Sequence, residues 1–132
     1  MVRVLIADDH PLFRHALREA VIHSDHNSEL FEAEQLEQAL TLIHSAQPDL
    51  LLLDLKMPGS SGLAGLAQIR SEHPELAVVV VSASEDSTVV SRVRQLGALG
   101  FIPKSASIEA MTQALQKVLQ GQLVFPEFLG HA

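Results

Sequence analysis

Two hydrophobic rhythms alternate along this chain. Short apolar runs, Val2 to Ala7 (interrupted only by Arg3), Leu50 to Leu53 and Leu76 to Val81, have strand length and almost no polar face. Such runs mark strands buried on both sides. Between them, apolar residues recur every three or four positions, the spacing of a helix with one buried face. Leu12, Phe13, Ala16, Leu17, Ala20 and Val21 predict a first helix, opened by Pro11, whose missing N–H is not needed in a first turn. A polar break at 24–28 leads to a short strand, Glu29 to Ala33, and then to a helix over Leu36 to Ala46 that Pro48 stops. Leu63, Leu66, Ala67 and Ile69 predict a third helix ending before Pro74, and Val89, Val90, Val93 and Leu96 a fourth closed by Gly97. Leu99 to Pro103 is the last strand; Ile108, Met111, Ala114, Leu115, Val118 and Leu119 form a fifth helix that Gly121 terminates.

Five strand–helix alternations predict an α/β fold: a parallel sheet, right-handed crossovers and helices on both faces. Pro103 cannot donate a ladder hydrogen bond, which places the last strand at a sheet edge or at its own end. The expected organisation is one domain over 1–121. Residues 122–132 (Gln-Leu-Val-Phe-Pro-Glu-Phe-Leu-Gly-His-Ala) have no period and read as a linker or cut end.

Composition narrows the function. The chain's 132 residues suffice for one ordinary core, 47% of them are hydrophobic, and no apolar run approaches membrane-span length. The start enters a strand without the features of a signal peptide. The absence of cysteine excludes disulfide and thiolate chemistry and suits a reducing cytoplasm, the expected location. Sixteen acids against nine bases give a formal charge of −7, which repels phosphate backbones. Five Phe with no Trp or Tyr offer little for bases to stack on. Neither a membrane nor nucleic acid is an expected direct partner.

The chemistry collects at the strand ends. In an open parallel sheet the C-terminal ends share one edge, where ligands bind. Those ends carry Asp8 and Asp9 after the first strand, Asp54 after the third, Ser82 after the fourth and Lys104 after the fifth. Each residue alone is ordinary turn chemistry, and Asp8-Asp9 alone would suit a helix N-terminus. Together, three carboxylates repel one another and call for a cation or a proton. Oxygen donors with room for water suit Mg2+. A carboxylate can also act as a nucleophile and become an acyl phosphate, whose oxygens Lys104 and Ser82 would hold. The seven histidines show no metal-ligand spacing, so none is assigned to metal, although His10 borders the site. Gly59, Gly62 and Gly65 do not form a phosphate loop.

Over residues 2–120 the chain resembles the receiver domain of bacterial two-component response regulators. The matching stretches are Leu-Ile-Ala-Asp8-Asp9-His-Pro, Leu-Leu-Leu-Asp54-Leu-Lys-Met-Pro-Gly, Val-Val-Ser82-Ala and Gly100-Phe101-Ile-Pro-Lys104. Asp-Asp-His-Pro-Leu-Phe-Arg and Gly-Phe-Ile-Pro-Lys-Ser-Ala-Ser look like the LuxR/NarL-type subfamily. The resemblance implies a flavodoxin-like (βα)5 doubly wound sheet of order 2-1-3-4-5, an order carried over from the family and not read from spacing. It implies that Asp54 is the phosphoacceptor, taking its phosphoryl group from a sensor histidine kinase. Asp8, Asp9, Asp54 and the backbone carbonyl of Lys56 would hold Mg2+, Asp9 more directly than Asp8. Ser82 would be the switch hydroxyl, Phe101 the aromatic switch that rotates inward with it, and Lys104 the partner of the phosphoryl group.

It further implies a switch with only self-catalysed phosphotransfer and dephosphorylation. Homodimerisation is expected through the fourth helix, fifth strand and fifth helix, or through the first and fifth helices. DNA would be reached only through a C-terminal helix-turn-helix effector domain, for which this chain has no room. Two departures stand out: Ser105 follows the lysine where the family often has a proline in a cis bond, and Phe101 lacks a hydroxyl. An aspartyl-phosphate phosphatase of the haloacid-dehalogenase type fits less well, because the position of its second acid is Lys56. A flavin-binding module would meet repulsion between the acidic strand ends and the cofactor's phosphate. The remaining alternative is a receiver-like interaction domain working without phosphorylation, against which the complete acid, hydroxyl and lysine set argues.

Overall fold

The structure, a computed structural model, describes residues 2–59 and 62–126. In chain order the elements are β1 (Arg3–Ala7), α1 (Pro11–Ser24), β2 (Glu29–Ala33), α2 (Leu36–Ala46), β3 (Leu50–Asp54), α3 (Leu63–Glu72), β4 (Ala77–Ser82), α4 (Ser87–Gln95), β5 (Gly100–Pro103) and α5 (Ile108–Leu119). All four strand pairings are parallel, and the sheet order is β2-β1-β3-β4-β5. This is the order that the resemblance implies, with β5 at an edge.

Alternate strand residues face opposite layers because a strand repeats every two residues. Leu5, Ala7, Leu51, Leu53, Val78, Val80 and Phe101 pack with Leu36, Ile43, Leu66, Ile69 and Val93 of α2, α3 and α4. Val4, Ile6, Leu50, Leu52, Val79, Val81 and Ile102 pack with Leu17, Val21, Met111 and Leu115 of α1 and α5. Every residue of β3 is buried, which is why its sequence is nearly all leucine. Burying one such side chain fully is worth roughly 1.5–3 kcal/mol, so the two core layers hold the sheet between its two layers of helices.

Register carries the fold to the site. Ala7 lies opposite both Ala33 and Leu53, Asp54 opposite Val81, and Ser82 opposite Pro103. Asp8, Asp54, Ser82 and Lys104 therefore leave the sheet side by side. The Lys104 amide donates to the Ser82 carbonyl at 2.8 Å and continues the pairing of β4 with β5 past Pro103. No described peptide bond is cis, so the Lys104–Ser105 bond is trans.

The segment after α5 does not simply leave. Val124 forms a parallel bridge with Gly100. Its N–H donates to the Leu99 carbonyl at 3.0 Å, and its carbonyl accepts from the Phe101 amide at 2.8 Å. Phe125 packs on the α2–α4 side of the core, with the Arg94 guanidinium 5.0 Å from its ring centre. The stretch read as linker thus begins as a strap on the free edge of β5. Periodicity misses it because a single bridge has no period. Residues 127–132, the rest of the expected linker, lie outside the described residues.

Candidate functional site

The site is assembled at the C-terminal ends of β1, β3 and β5. Asp8 and Asp54 are buried, 0% and 1% exposed, and Ser82 is 1% exposed. The Asp8 main chain is held twice: its amide donates to the Ala33 carbonyl at 3.0 Å, and its carbonyl accepts from Arg14 Nη1 at 2.7 Å. Arg14 is itself fixed by Glu32, 2.8 Å from its Nε, and Glu34, 3.1 Å from its Nη2. Asp8 Oδ1 accepts from the His10 amide at 2.7 Å, a turn that aims the carboxylate inward and starts α1. Asp54 Oδ1 accepts from the Lys56 amide at 3.0 Å, an equivalent turn after β3.

Lys104 supplies the site's cation. Its Nζ lies 3.0 Å from Asp54 Oδ2, 3.0 Å from Asp8 Oδ2 and 2.9 Å from His10 Nδ1. The ammonium also stands 4.9 Å from the Phe13 ring centre, where the ring face favours positive charge. Asp8, Asp9 and Asp54 against one lysine leave two negative charges uncompensated in a partly dehydrated crevice. Ser82 Oγ accepts from the Ser84 amide at 3.1 Å and sits beside the cluster. Phe101 is 1% exposed, its ring packed within the α2–α4 core layer: the structure has this residue already inside.

The donors fit a hard cation. Asp8 Oδ2 and Asp9 Oδ1 are buried and accept no hydrogen bond; their close neighbours are Lys104 Nζ at 3.0 Å and His10 Nδ1 at 3.3 Å, respectively. One ligand atom from each of Asp8, Asp9, His10 and Asp54 falls within 4.8 Å of the others. Carboxylate oxygens at that spacing, open to water on one side, are what Mg2+ takes.

The expected site residues converge, with Lys56 reaching Asp54 through its backbone and Phe101 lying behind the site in the core. Sequence reasoning set His10 beside the site; the structure puts its ring in contact with Lys104, Asp8 and Asp9. It also missed Arg14 and Phe13. His10 had a signal, since it directly follows two clustered aspartates. Arg14 had one only as the last residue of the Asp-Asp-His-Pro-Leu-Phe-Arg stretch.

Residues 4–116 match the family described as the response regulator receiver domain. The chain belongs to that family. It is 44% identical over 127 residues to the "Glycerol metabolism activator" of Pseudomonas putida, a match covering 96% of this chain and 58% of that protein. It is 34% identical to the response regulator GacA of Pseudomonas aeruginosa, over 92% of this chain and 57% of the other. The solved signal receiver domain of the putative response regulator NarL from Mycobacterium tuberculosis superposes with a TM-score of 0.80 at 34% identity, covering 92% of this chain and 98% of that one. The chain therefore spans less than two thirds of the curated relatives it matches, and nearly all of a solved receiver domain. Its kin are response regulators of the GacA and LuxR/NarL type, acting in two-component systems. Receiver domains are in general switches rather than catalytic enzymes, and they work with histidine kinases and effector domains. No described helix is long and apolar enough to cross a membrane.

Proposed function

We propose that Asp54 accepts a phosphoryl group from the phosphohistidine of a sensor histidine kinase, and that the resulting charge switches this domain's surface. The observation that carries the reading is the buried Asp54 carboxylate, Oδ1 held by the Lys56 amide and Oδ2 by Lys104, beside buried Asp8 and Asp9 oxygens that accept no hydrogen bond. An Asp54 oxygen attacks phosphorus, the phosphorus–nitrogen bond to the kinase imidazole breaks, and the acyl phosphate forms as neutral imidazole leaves with a proton from solvent. Asp8, Asp9, Asp54 and the Lys56 carbonyl would hold Mg2+, which when bound would supply positive charge beside the phosphoryl oxygens.

The chain's own residues do the rest. Lys104, 3.0 Å from Asp54 Oδ2, needs only a small side-chain motion to pair with a phosphoryl oxygen. Ser82 Oγ leaves the Ser84 amide and donates to a second oxygen, drawing on the loop before α4. Phe101 already lies inside the α2–α4 core layer and has no inward turn left to make, so Ser82 and Lys104 carry the rearrangement. The moving surface is then α4, β5 and α5. Through it, or through α1 and α5, the domain pairs with a second copy. Residues 1–121 form the receiver, to which the next stretch is strapped at Val124; 122–132 read as a linker or cut end, the output is a DNA-contacting effector domain or a partner, and the cytoplasm is where the kinase meets the domain.

The test is intact mass after incubation with Mg2+ and acetyl phosphate, beside Asp54→Ala. A labile adduct of one phosphoryl group that requires Mg2+ and vanishes in the variant is expected. A folded protein that takes no phosphoryl group from acetyl phosphate or from any kinase would overturn the reading in favour of an interaction domain that works without phosphate.

A further inference from the structure

His10 does something that an ordinary surface histidine does not. Its ring is 62% exposed, yet Nδ1 points inward, 2.9 Å from Lys104 Nζ, 3.3 Å from an oxygen of each of Asp8 and Asp9, and 3.7 Å from Asp54 Oδ2. An ammonium can only donate, so a hydrogen bond from Lys104 to this nitrogen uses the ring's lone pair, the same pair a metal ion would take. The main chain sets this approach: the His10 amide is tied to Asp8 Oδ1 at 2.7 Å, and Pro11 begins α1 immediately after.

Lys104 also marks where a cation sits. Two carboxylate oxygens and one imidazole nitrogen surround its Nζ at 2.9–3.0 Å. Asp8, its side chain fully buried, turns an oxygen without a hydrogen bond toward the same place. With Asp9, whose ligand atom lies within 4.8 Å of those of Asp8, His10 and Asp54, the donor set of the cluster is three carboxylates and one imidazole.

We propose that His10 makes this a mixed oxygen–nitrogen site, which binds the nitrogen-preferring first-row divalent cations, Zn2+ and Ni2+ foremost, in competition with Mg2+. The inference rests on reading Asp8, Asp9 and Asp54 as a cation site, and adds the residue that sets its selectivity. Mg2+ is hard, keeps several waters and gains little from imidazole. Zn2+ and Ni2+ accept imidazole readily, and affinity for nitrogen-containing sites rises along the series toward copper. Removing His10 thus acts on one class of ion and spares the other, which a merely structural histidine would not do.

The experiment uses the full chain labelled with 15N, titrated separately with Mg2+ and with Zn2+, both diamagnetic. Two-dimensional NMR resolves the seven imidazoles and the amides of Asp8, Asp9 and Asp54, in wild type and in His10→Ala. The expected result is that Zn2+ moves the His10 Nδ1 resonance together with the site amides, whereas Mg2+ moves the amides alone. His10→Ala then weakens Zn2+ at the site by at least about tenfold, the loss that removing even an outer-shell partner can cause, and leaves the Mg2+ response intact. Undiminished Zn2+ binding in His10→Ala, or Zn2+ shifts confined to the other six imidazoles, overturns the inference; an intact Mg2+ response then leaves the receiver's cation site standing. Amides that respond to Zn2+ through His10 but never to Mg2+ would support the nitrogen site and count against the Mg2+-dependent reading above.

Discussion

Replacing Lys104 with methionine keeps most of the apolar stem and removes the ammonium, with its contact to the Phe13 ring. The ammonium lies 3.0 Å from each of two carboxylates that are essentially buried, so its loss leaves them without their cation. At an effective dielectric constant near 20, each attraction is worth ~5.5 kcal/mol before desolvation is charged against it. Desolvation cancels several kcal/mol, and breaking a buried pair from one side typically costs about 3–5 kcal/mol net. With the Lys104 side chain 14% exposed, the low end applies, about 3 kcal/mol. An unfolding entropy of ~2.1 cal/mol/K per residue over 132 residues converts this to a fall in Tm of about 10 °C.

The diagnostic part is the response to metal. Mg2+ at about a hundred times its Kd adds ~2.7 kcal/mol to the wild type. It adds more to Lys104→Met, where three carboxylates face the ion without a competing ammonium. Thermal unfolding by circular dichroism, with and without Mg2+, reads both effects. If the variant melts within about 2 °C of wild type in chelator, the ion pairs contribute less than ~0.6 kcal/mol and the electrostatic account of the site is wrong. Equal Mg2+-induced shifts in the two proteins would refute it as well.

Two further perturbations probe the scaffold. Ser107 Oγ accepts from the Ala110 amide at 3.0 Å and caps α5; Ser107→Ala should cost about 1 kcal/mol in urea unfolding, and Ser107→Asp should cost far less. A Cβ on Gly100 would meet the Val124 carbonyl oxygen at 2.9 Å; Gly100→Ala should lower stability by about 1–3 kcal/mol and speed hydrogen exchange at the Phe101 amide, which an intact strap would protect.

Most of the scaffold was legible because its elements follow strong local rules. The leucines of β3 and the valines of β4 have no polar face to hide, so their burial on both sides follows from composition alone. The bounds of β2, α2 and α5 coincide with the periodic pattern, and Pro11, Pro48 and Gly121 fall at the breaks they announce. Asp8, Asp9, Asp54, Ser82 and Lys104 meet because a parallel sheet gathers strand ends at one edge, a rule of topology rather than of neighbouring residues. Contacts made by single side chains across long separations stayed hidden. His10 and Lys104 are 94 positions apart, and no local pattern predicts a 2.9 Å bond between them. The inward placement of Phe101 depends on how the α2–α4 layer fills, and the strap at Val124 depends on one bridge. Arg70 is another such case: its guanidinium joins α3 to the carbonyls of Leu76 and Leu96, an arrangement that looks like an ordinary exposed arginine in the sequence.

The strap has a consequence for how molecules meet in concentrated solution. An open sheet offers two rows of unpaired amides and carbonyls, each a template on which another chain can add a strand and seed aggregation. Here the two rows are protected by different means. Along β2, Glu29 and Glu32 stand at the margin, paired with Arg3, Arg14 and Arg18, so an incoming strand meets charge. Along β5 the chain's own Val124 takes the Leu99 carbonyl and the Phe101 amide before a stranger can. A truncation before Val124 would therefore uncover a short apolar margin while leaving the acidic crevice untouched, and would trade colloidal solubility, not chemistry, for brevity.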